Sequence, residues 1–371
     1  MPEGWIFGII FEMAESILHI APQNIAGVPG EMVREERRRG FDSTLVTFSP
    51  HPYGFDSGEC LDLPLASGRK AAFVQKLFGT SPETVNRRRR GDFRKPPAWE
   101  GGRFPARYLF ALRDRIWEPR FRAAGFPERL READIVVLDG GLPLLRSGKW
   151  IRDFAERGGR LAITYYGTDL RHHGVIWEID DAAGAVFLME FDHTLLHPRG
   201  TWLPFPFDAR DYERANPPEG AVRIGHAAAK RNAKGTNRII EAIREVGESR
   251  DVEAVIMERM PHEEVLELKS TCHIFVDQLG ELGYGISGLE SLAMGIPTVV
   301  ELLPDHDGFL GDHPFVNANA DNLARVLREL VDNPELRTET GEKGYRWVRE
   351  FHSPRRCIDR AHGVYRELGW I

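Results

Sequence analysis

The sequence predicts an α/β protein made of two Rossmann-like domains that face each other across a cleft. Its length of 371 residues is about twice that of an ordinary single domain. Short apolar runs typical of buried strands alternate with amphipathic helical patterns along most of the chain. A segment rich in Pro and Gly, residues 216–220, interrupts this alternation and indicates a linker.

The beginning of the chain predicts a βαβ unit with a glycine loop. Residues 5–10 form an apolar run typical of a buried strand, residues 31–39 have a helical pattern, and residues 45–48 form the next strand. Gly27 and Gly30 lie in the loop before the helix. Such a loop either faces a ligand in the cleft or is a tight turn, and the sequence leaves both interpretations open.

A strongly basic stretch follows at residues 69–131. It holds 17 Lys or Arg against 6 Asp or Glu, although the whole chain has a net charge of −7. Four arginines stand together at 87–90, and residues 108–122 have the spacing of a basic amphipathic helix. One interpretation is a surface for an anionic membrane or an anionic acceptor. The alternative is a solvated arginine-rich face whose aromatic residues belong to the core. We expect no nucleic acid partner, because no nucleic-acid-binding motif accompanies the charge.

Polar residues follow a buried strand in the middle of the chain. Residues 133–139 and 160–165 predict two strands, and Tyr166, Asp169 and Arg171 come directly after the second. The carboxyl ends of parallel strands are where open α/β sheets place ligand contacts. The alternative is a structural role in which Asp169 caps a helix and pairs with Arg171.

The segment after the linker predicts an anion site. A strand at residues 222–226 ends in His226, and Lys230 and Lys234 then flank a loop at the start of a helix. Because free N–H groups and a partial positive charge lie at a helix N-terminus, these ammonium groups and the helix can bind one pair of phosphates together.

A glycine-rich turn at residues 280–288 predicts a second contact with the same ligand. It follows a strand at residues 273–276 and leads into a helix. Glu290 lies one turn into that helix, to the side of the apolar face formed by Leu289 and Leu292. Its carboxylate can therefore point at a ligand, where it would accept two hydrogen bonds from a ribose diol. The alternative is a buried structural anchor that pairs with a neighbouring basic residue.

These turns resemble the donor site of family 4 glycosyltransferases, which have the GT-B fold. Tyr284-Gly285 corresponds to the family's Phe-Gly pair, and residues 290–297 correspond to its Glu-Ala-Met-Ala-x-Gly-x-Pro run. Lys234-Gly235-Thr236 matches a Lys-Gly-Thr sequence of the family, whose lysine meets the donor diphosphate.

The chain departs from the family pattern at three places. The first glutamate of the family is replaced by Leu282, with Glu281 displaced by one residue. Tyr166 stands for the histidine of the family's His-Gly-x-Asp-x-Arg turn, and Ala228 stands for a proline. At the position of the carboxylate that contacts the transferred sugar in the family, this chain therefore has an apolar side chain.

The resemblance implies a GT-B enzyme that moves a sugar from a nucleotide diphosphate donor, UDP- or GDP-linked, to an acceptor hydroxyl. It implies retention of configuration and no metal or other cofactor, because lysines and a helix N-terminus stabilise the departing diphosphate. No Asp-x-Asp metal signature stands at a plausible site. Residues 1–207, closed by the C-terminal helix at 355–371, would form the acceptor side, and residues 208–354 would bind the donor. The acceptor would be a saccharide, a lipid-linked molecule or another small molecule.

The resemblance also assigns roles to single residues. Lys234 and Glu290 would carry catalysis. Residues assigned to donor binding are His226, Lys230, Lys234, Tyr284, Gly285, Ile286, Ser287 and Glu290. Residues assigned to the acceptor side of the cleft are Gly27, Gly30, Tyr166, Asp169 and Arg171.

Two other classes of function stay open at this point. A GT-B phosphorylase or a nucleotide-sugar epimerase would use the same cleft with phosphate or water. A catalytically silent glycosyltransferase-like partner protein would explain the missing first glutamate and the substitution at Tyr166.

Composition predicts where the protein acts. The three cysteines are far apart in the sequence and form neither a disulfide framework nor a zinc motif, which fits a reducing compartment. Neither a signal peptide nor a run of about 20 apolar residues is evident. We therefore expect a cytoplasmic protein, with peripheral attachment to the inner face of the membrane as a candidate through residues 69–131.

Overall fold

The computed structural model describes residues 15–52, 54–66, 95–99, 104–167, 169–228, 231–280 and 283–371. Two parallel β-sheets form within these residues, one from strands before residue 203 and the other from strands after residue 221. Helices cover both sheets, so the predicted α/β class is confirmed.

The first sheet has seven strands among the described residues. They are β1 (Ser16–Ala21), β2 (Asp42–Thr47), β3 (Glu59–Cys60), β4 (Ile135–Asp139), β5 (Arg160–Tyr165), β6 (Ala185–Leu188) and β7 (Thr201–Trp202). All pair in parallel in the order β3-β2-β1-β4-β5-β6-β7, and Ile17 lies opposite both Ser43 and Ile135. The order of the strands reverses between β1 and β4. The loops after these two strands therefore form the crevice in which open α/β sheets bind ligands.

Six α-helices accompany this sheet in the described part of the chain, together with a short 3-10 helix (Ile25–Gly27) and a π-helical turn (Asp169–His173). They are α1 (Val28–Arg38), α2 (Phe104–Ala123), α3 (Phe126–Glu132), α4 (Lys149–Glu156), α5 (Trp177–Asp180) and α6 (His193–Leu196). Helix α1 begins after Gly27, whose φ of 77° lies in the left-handed region, and has Pro29 in its first turn. Gly30 is part of this helix and not of the loop in which it was predicted, because the helix begins three residues earlier than its predicted start at residue 31. Glycine before the helix and proline inside its first turn suit this sharp entry.

The second sheet is formed by five parallel strands. They are β8 (Val222–Ala227), β9 (Val252–Met257), β10 (Ile274–Val276), β11 (Thr298–Val300) and β12 (Val316–Asn317), in the order β12-β11-β10-β8-β9. Its helices are α7 (Arg231–Lys234), α8 (Thr236–Gly247), α9 (His262–Ser270), α10 (Ile286–Ala293), α11 (Pro304–Leu310), α12 (Leu323–Asp332) and α13 (Pro334–Phe351).

The last helix, α14 (Pro354–Glu367), packs against α1 and β6 of the first sheet. The ring of Tyr365 meets that of Phe187 at 5.7 Å, and Arg39 forms an ion pair with Asp359 at 2.8 Å. One buried apolar cluster continues from the first sheet through Tyr365 to Leu292 on α10. The chain thus returns to the first sheet after completing the second.

The strand that precedes the glycine loop differs from the prediction. The strand predicted at residues 5–10 lies outside the described residues, whereas β1 was not predicted. His19 interrupts the apolar run of β1, yet it is 1% exposed because both ring nitrogens have carboxylate partners. A histidine in the centre of the strand breaks the continuous apolar run from which a buried parallel strand is predicted.

The described part of the basic stretch is mostly helix α2, in agreement with the prediction for residues 108–122. Trp117 and Phe121 on this helix are buried, whereas Tyr108 and Leu112 are exposed. The arginines at 87–90 lie outside the described residues. No helix in the described ranges combines the length and the apolar character needed to cross a membrane.

Candidate functional site

The glycine-rich turn of the second sheet is shaped around Asp277, which follows β10 directly. The Asp277 side chain is fully buried, and its Oδ2 accepts a hydrogen bond from the N–H of Gly285 at 2.9 Å. A Cβ at Gly288 would lie 2.8 Å from the same oxygen, so only glycine fits this close approach. The N-terminus of α10 is therefore held against a buried carboxylate.

Lys234 is brought to this turn, as the sequence predicts. Its Nζ donates to Asp277 Oδ1 at 2.6 Å and lies 4.0 Å from the position of a Cβ at Gly285. The next residue, Gly235, has a φ of 69° and leaves no space for a Cβ beside the carbonyl oxygen of Leu279. The Lys234 ammonium and the N-terminus of α10 thus lie side by side at the edge of the second sheet. Lys230 lies outside the described residues.

His226 lies inside the second sheet rather than on the surface of the cleft. Its Nδ1 is 2.9 Å from the carbonyl oxygen of Val276, and its Nε2 is 2.9 Å from Thr236 Oγ1. Burial lowers its pKa to about 4, so the ring is neutral at pH 7. Both nitrogens are engaged, and His226 joins β8 and β10 to the start of α8.

Glu290 lies off the apolar face of α10, as predicted, but its carboxylate is 3% exposed and paired within the protein. Its Oε2 accepts from Lys269, and its Oε1 lies 2.7 Å from His262 Nε2. Burial raises the pKa of this carboxyl, but Lys269 and His262 together outweigh burial and hold it at about 2. Glu290 is therefore ionised. Neither partner could be predicted, because His262 and Lys269 lie on α9, a separate helix more than twenty residues before Glu290 in the chain.

The other predicted donor residues have different surroundings. The ring of Tyr284 is buried, stacks on Phe315 at 4.5 Å, and its hydroxyl lies 3.1 Å from His352 Nε2. Ser287 accepts hydrogen bonds from Lys269 through both its carbonyl oxygen and its Oγ. Ile286 lines a cavity.

That cavity is where the two sheets' loops meet. Its volume is about 850 Å³, and its walls include Gly27, Gly30, Phe55, Tyr212 and Ile286. Of the predicted donor residues, only Ile286 shares this cavity with the predicted glycine loop, and Lys234 and Glu290 are not part of its walls. A Cβ at Gly30 would lie 2.7 Å from Asn24 Nδ2, because Asn24 accepts from the Gly30 N–H and donates to the carbonyl oxygen of Asp56.

The polar turn after β5 is tied into the first sheet. The Tyr166 hydroxyl donates to Asp139 Oδ1 at 2.6 Å, and Asp169 Oδ2 accepts from the Tyr166 N–H at 2.8 Å. Burial raises the pKa of Asp169 to about 7. Arg171 pairs through two hydrogen bonds with Asp192, at 2.5 and 2.8 Å. The alternative in which Arg171 pairs with Asp169 is therefore wrong, because Asp192 after β6 supplies a bidentate carboxylate.

A buried charged network extends from this turn and was not predicted. His19 lies between Asp139 at 2.9 Å and Glu36 at 3.1 Å, and Ser43 donates to Glu36 at 2.6 Å. Burial lowers the pKa of His19, but the two carboxylates outweigh burial and raise it to about 10. Asp139 at the end of β4 and His19 in β1 were the available signals, but only the order of the strands in the sheet places these two residues together.

The described residues hold no group of three or more His, Cys, Asp or Glu side chains arranged to bind a metal ion.

The glycine at position 288 gives a direct test of this geometry. We expect Gly288→Ala to push the Asp277 carboxylate away and to disturb Lys234, since the new Cβ would stand 2.8 Å from Asp277 Oδ2. Binding of UDP or GDP, the nucleotides of the donors that the sequence resemblance implies, should weaken by about tenfold in calorimetry. The control is Gly363→Ala on α14, where a Cβ meets nothing within 4 Å. Equal behaviour of the two variants would contradict the role given to Asp277.

Comparison with known proteins identifies the fold of this chain but assigns it to no family. No family model matches the sequence, and no curated protein matches it. Among solved structures, sucrose-phosphate synthase from Thermosynechococcus elongatus matches with a TM-score of 0.55 and 12% identity, over 95% of this chain and 99% of that one. A glycosyltransferase from Rickettsia africae matches with a TM-score of 0.57 and 10% identity, over 96% and 98%.

A third match is partial. TarM from S. aureus has a TM-score of 0.44 and 13% identity, over 62% of this chain, and the chain spans 55% of its length. The two near-complete matches, together with the two facing sheets, confirm the predicted GT-B fold.

Proposed function

We propose that the protein is a glycosyltransferase that moves a sugar from a UDP- or GDP-linked donor to an acceptor hydroxyl. We further propose that transfer retains the anomeric configuration and needs no metal ion. The proposal rests on one observation. The Lys234 ammonium and the N–H of Gly285 at the N-terminus of α10 both donate hydrogen bonds to the buried carboxylate of Asp277. A diphosphate that takes the place of Asp277 beside Lys234 would be bound both by the Lys234 ammonium and by the N-terminus of α10.

In this proposal Lys234 and α10 stabilise the charge that develops on the leaving diphosphate. The bond from the sugar C1 to the phosphate oxygen breaks, the bond from C1 to the acceptor oxygen forms, and the acceptor proton passes to the departing diphosphate. Such front-face transfer needs no general base from the protein. Glu290 accepts hydrogen bonds from the ribose of the donor.

The acceptor belongs, in the proposal, on the side of the first sheet. Gly27 and Gly30 line the cavity of about 850 Å³ that Ile286 also lines. The turn with Tyr166, Asp169 and Arg171 lies at the carboxyl end of β5, on the same edge of that sheet. A saccharide, a lipid-linked molecule or another small hydroxylated molecule fits these expectations.

A screen of nucleotide sugars tests the donor side. We expect UDP- or GDP-linked sugars to raise the melting temperature, because a ligand that binds only the folded state stabilises it. The bare nucleoside should raise it much less. Incubation of the stabilising donor with free phosphate, with water alone and with acceptors then separates a phosphorylase or epimerase from a transferase. Stabilisation without any turnover would favour a silent partner protein, and no stabilisation by any donor would contradict the proposal.

We also propose that the basic stretch at residues 69–131 binds an anionic membrane surface at the cytoplasmic face. In its described part, α2 exposes Tyr108 and Leu112, which are 65% and 52% exposed, beside the exposed Arg115. An aromatic and an aliphatic side chain next to cations are typical of helices that lie in a membrane interface.

Vesicle sedimentation tests the membrane proposal. The protein should sediment with vesicles that contain phosphatidylserine at low salt and be released as ionic strength rises, since screening shortens to about 8 Å at physiological salt. Serine at Tyr108 and Leu112, or at the arginines 87–90, should reduce sedimentation. If the unchanged protein stays in the supernatant at low salt, the stretch is a solvated face.

A further inference from the structure

The cavity of about 850 Å³ extends well beyond the two glycines that the proposed function places in it. Its lining residues on α1 run from Gly27 to Arg38. With a rise of 1.5 Å per residue, this wall is about 16 Å long. Residues between 206 and 212, in the segment that joins the two sheets, and Ile286 on α10 also line the cavity. Small-molecule sites have volumes of about 300–1,000 Å³, so this cavity is large enough for more than one sugar ring.

Two polar groups on these walls have no hydrogen-bond partner among the described residues. The Oε2 of Glu31 is buried and unpaired, although the Oε1 of the same carboxylate pairs with Arg34 at 2.7 Å. The Tyr212 hydroxyl likewise makes no hydrogen bond within the described part of the chain. The last torsion of a glutamate side chain is broad, so the carboxylate can turn toward a ligand while Arg34 keeps one oxygen. Hydroxyl groups of a bound molecule can then donate to Glu31 and accept from Tyr212.

The protonation state of Tyr212 suits this role. Burial raises the pKa of Tyr212 well above its ordinary value, and four carboxylates add to the effect: Glu290, Asp211, Glu31 and Asp208. The phenol therefore stays a hydrogen-bond donor at all physiological pH values. Glu290 belongs to the second sheet and Glu31 to the first, so Tyr212 lies near carboxylates of both halves of the molecule.

The charges on the walls favour a neutral ligand. The described lining residues include more carboxylates than guanidinium groups, with Glu31, Asp56, Glu59, Asp208 and Asp211 against Arg34, Arg37 and Arg38. Most of these groups also have partners of opposite charge, in the pairs Glu31–Arg34, Glu59–Arg129, Asp208–Arg210 and Arg38–Glu35. A phosphorylated ligand would meet a surplus of negative charge, and like charges brought together in this way reduce affinity.

Aromatic side chains complete the walls. Phe55, Phe207 and Tyr212 line the cavity, and the rings of Phe207 and Tyr212 stack at 4.9 Å with an angle of 21° between their planes. A sugar ring has apolar C–H faces and a polar rim. Such a ring can pack a face on an aromatic side chain while its hydroxyls meet the polar groups beside it.

We propose that this cavity binds a neutral oligosaccharide of two or more rings as the acceptor, and that Glu31 and Tyr212 recognise its hydroxyls. The inference rests on the proposed function for the identity of the ligand as an acceptor. It goes beyond that function by giving the acceptor a charge and a minimum length, and by adding two contact residues that the sequence did not single out.

Ligand-observed NMR titration tests the site with named sugars. Maltotriose, cellotriose and chitotriose are the neutral oligosaccharides, glucose and N-acetylglucosamine test the effect of length, and glucose 6-phosphate tests the effect of charge. At least one trisaccharide should bind about tenfold more tightly than its monosaccharide, and glucose 6-phosphate should bind no more tightly than glucose. Glu31→Gln and Tyr212→Phe should each weaken binding of the trisaccharide by about tenfold and leave UDP and GDP binding within about twofold.

Matched substitutions at the surface serve as controls. Glu128→Gln removes a charge from an exposed ion pair on α3, and Tyr345→Phe removes a hydroxyl that accepts from Arg349 on α13. Both controls should bind the trisaccharide as the unchanged protein does.

The outcomes separate this inference from the proposed function. The inference is overturned if no trisaccharide binds more tightly than its monosaccharide, if glucose 6-phosphate is preferred, or if neither Glu31→Gln nor Tyr212→Phe changes the affinity. An equal loss of trisaccharide and nucleotide binding in these variants would indicate a merely structural role and also overturns it. Failure of the unchanged protein to bind UDP and GDP overturns the proposed function, whereas trisaccharide binding that depends on Glu31 and Tyr212 would still support a saccharide site in the cavity.

Discussion

Lys234→Ala is expected to weaken the binding of UDP or GDP by one to two orders of magnitude and to leave the binding of uridine or guanosine nearly unchanged. The Lys234 ammonium stands at the N-terminus of α10, where it would meet the diphosphate and not the nucleoside. A hydrogen bond to a charged group contributes roughly 1.5–3 kcal/mol, and about 1.4 kcal/mol corresponds to a factor of ten. Calorimetry with each ligand measures the difference.

Two further variants keep this result specific. Lys234→Ala leaves the buried Asp277 carboxylate without its cation. The double variant Lys234→Ala with Asp277→Asn removes both charges, so no unpaired ion stays buried. Lys149→Ala removes a lysine from an exposed ion pair on α4 and should change nothing. An equal loss of affinity for nucleotide and nucleoside would show that Lys234 does not bind the diphosphate.

Glu290→Gln is expected to have the largest effect on stability and to abolish most donor binding. Glu290 is the only carboxylate that the described residues place within ion-pair distance of Lys269, which is fully buried. Removal of one partner from a buried ion pair costs about 3–5 kcal/mol of the free energy of unfolding. Loss of the ribose acceptor should reduce donor affinity by one to two orders of magnitude. Chemical denaturation without ligand and calorimetry with ligand measure the two effects.

The double variant Glu290→Gln with Lys269→Met separates structure from binding. Replacement of both charges leaves no unpaired ion, so the double variant should recover most of the stability. It should not recover the affinity for UDP or GDP, because the carboxylate is still missing. Unchanged stability and unchanged affinity in the single variant would reject both roles of Glu290, and the donor site would then lie elsewhere in the cleft.

The fold could be predicted because parallel strands that are covered on both faces appear in the sequence as short, nearly continuous apolar runs. Residues 160–165 and 298–300 are apolar runs of this kind, and both are strands. Strand β1 escaped prediction because His19 is buried in its centre, and only partners from α1 and β4 make that burial favourable.

The candidate site could be predicted in part. Periodicity placed Glu290 off the apolar face of α10, and the glycines placed Lys234 near a helix start. The partners could not be predicted, because pairs such as Lys269 with Glu290 and Arg171 with Asp192 join residues about twenty positions apart on different elements. Hydrophobic patterns carry no information on such pairs.

The measurement that tests the central claim most directly is acceptor-dependent release of UDP or GDP from a nucleotide sugar, with the product analysed by proton NMR. The account predicts a new glycoside that keeps the anomeric configuration of the donor, formed equally well in the presence of EDTA. It also predicts that Lys234→Ala loses this activity. Release of free monosaccharide without acceptor, a product of inverted configuration, or full activity in Lys234→Ala would contradict it.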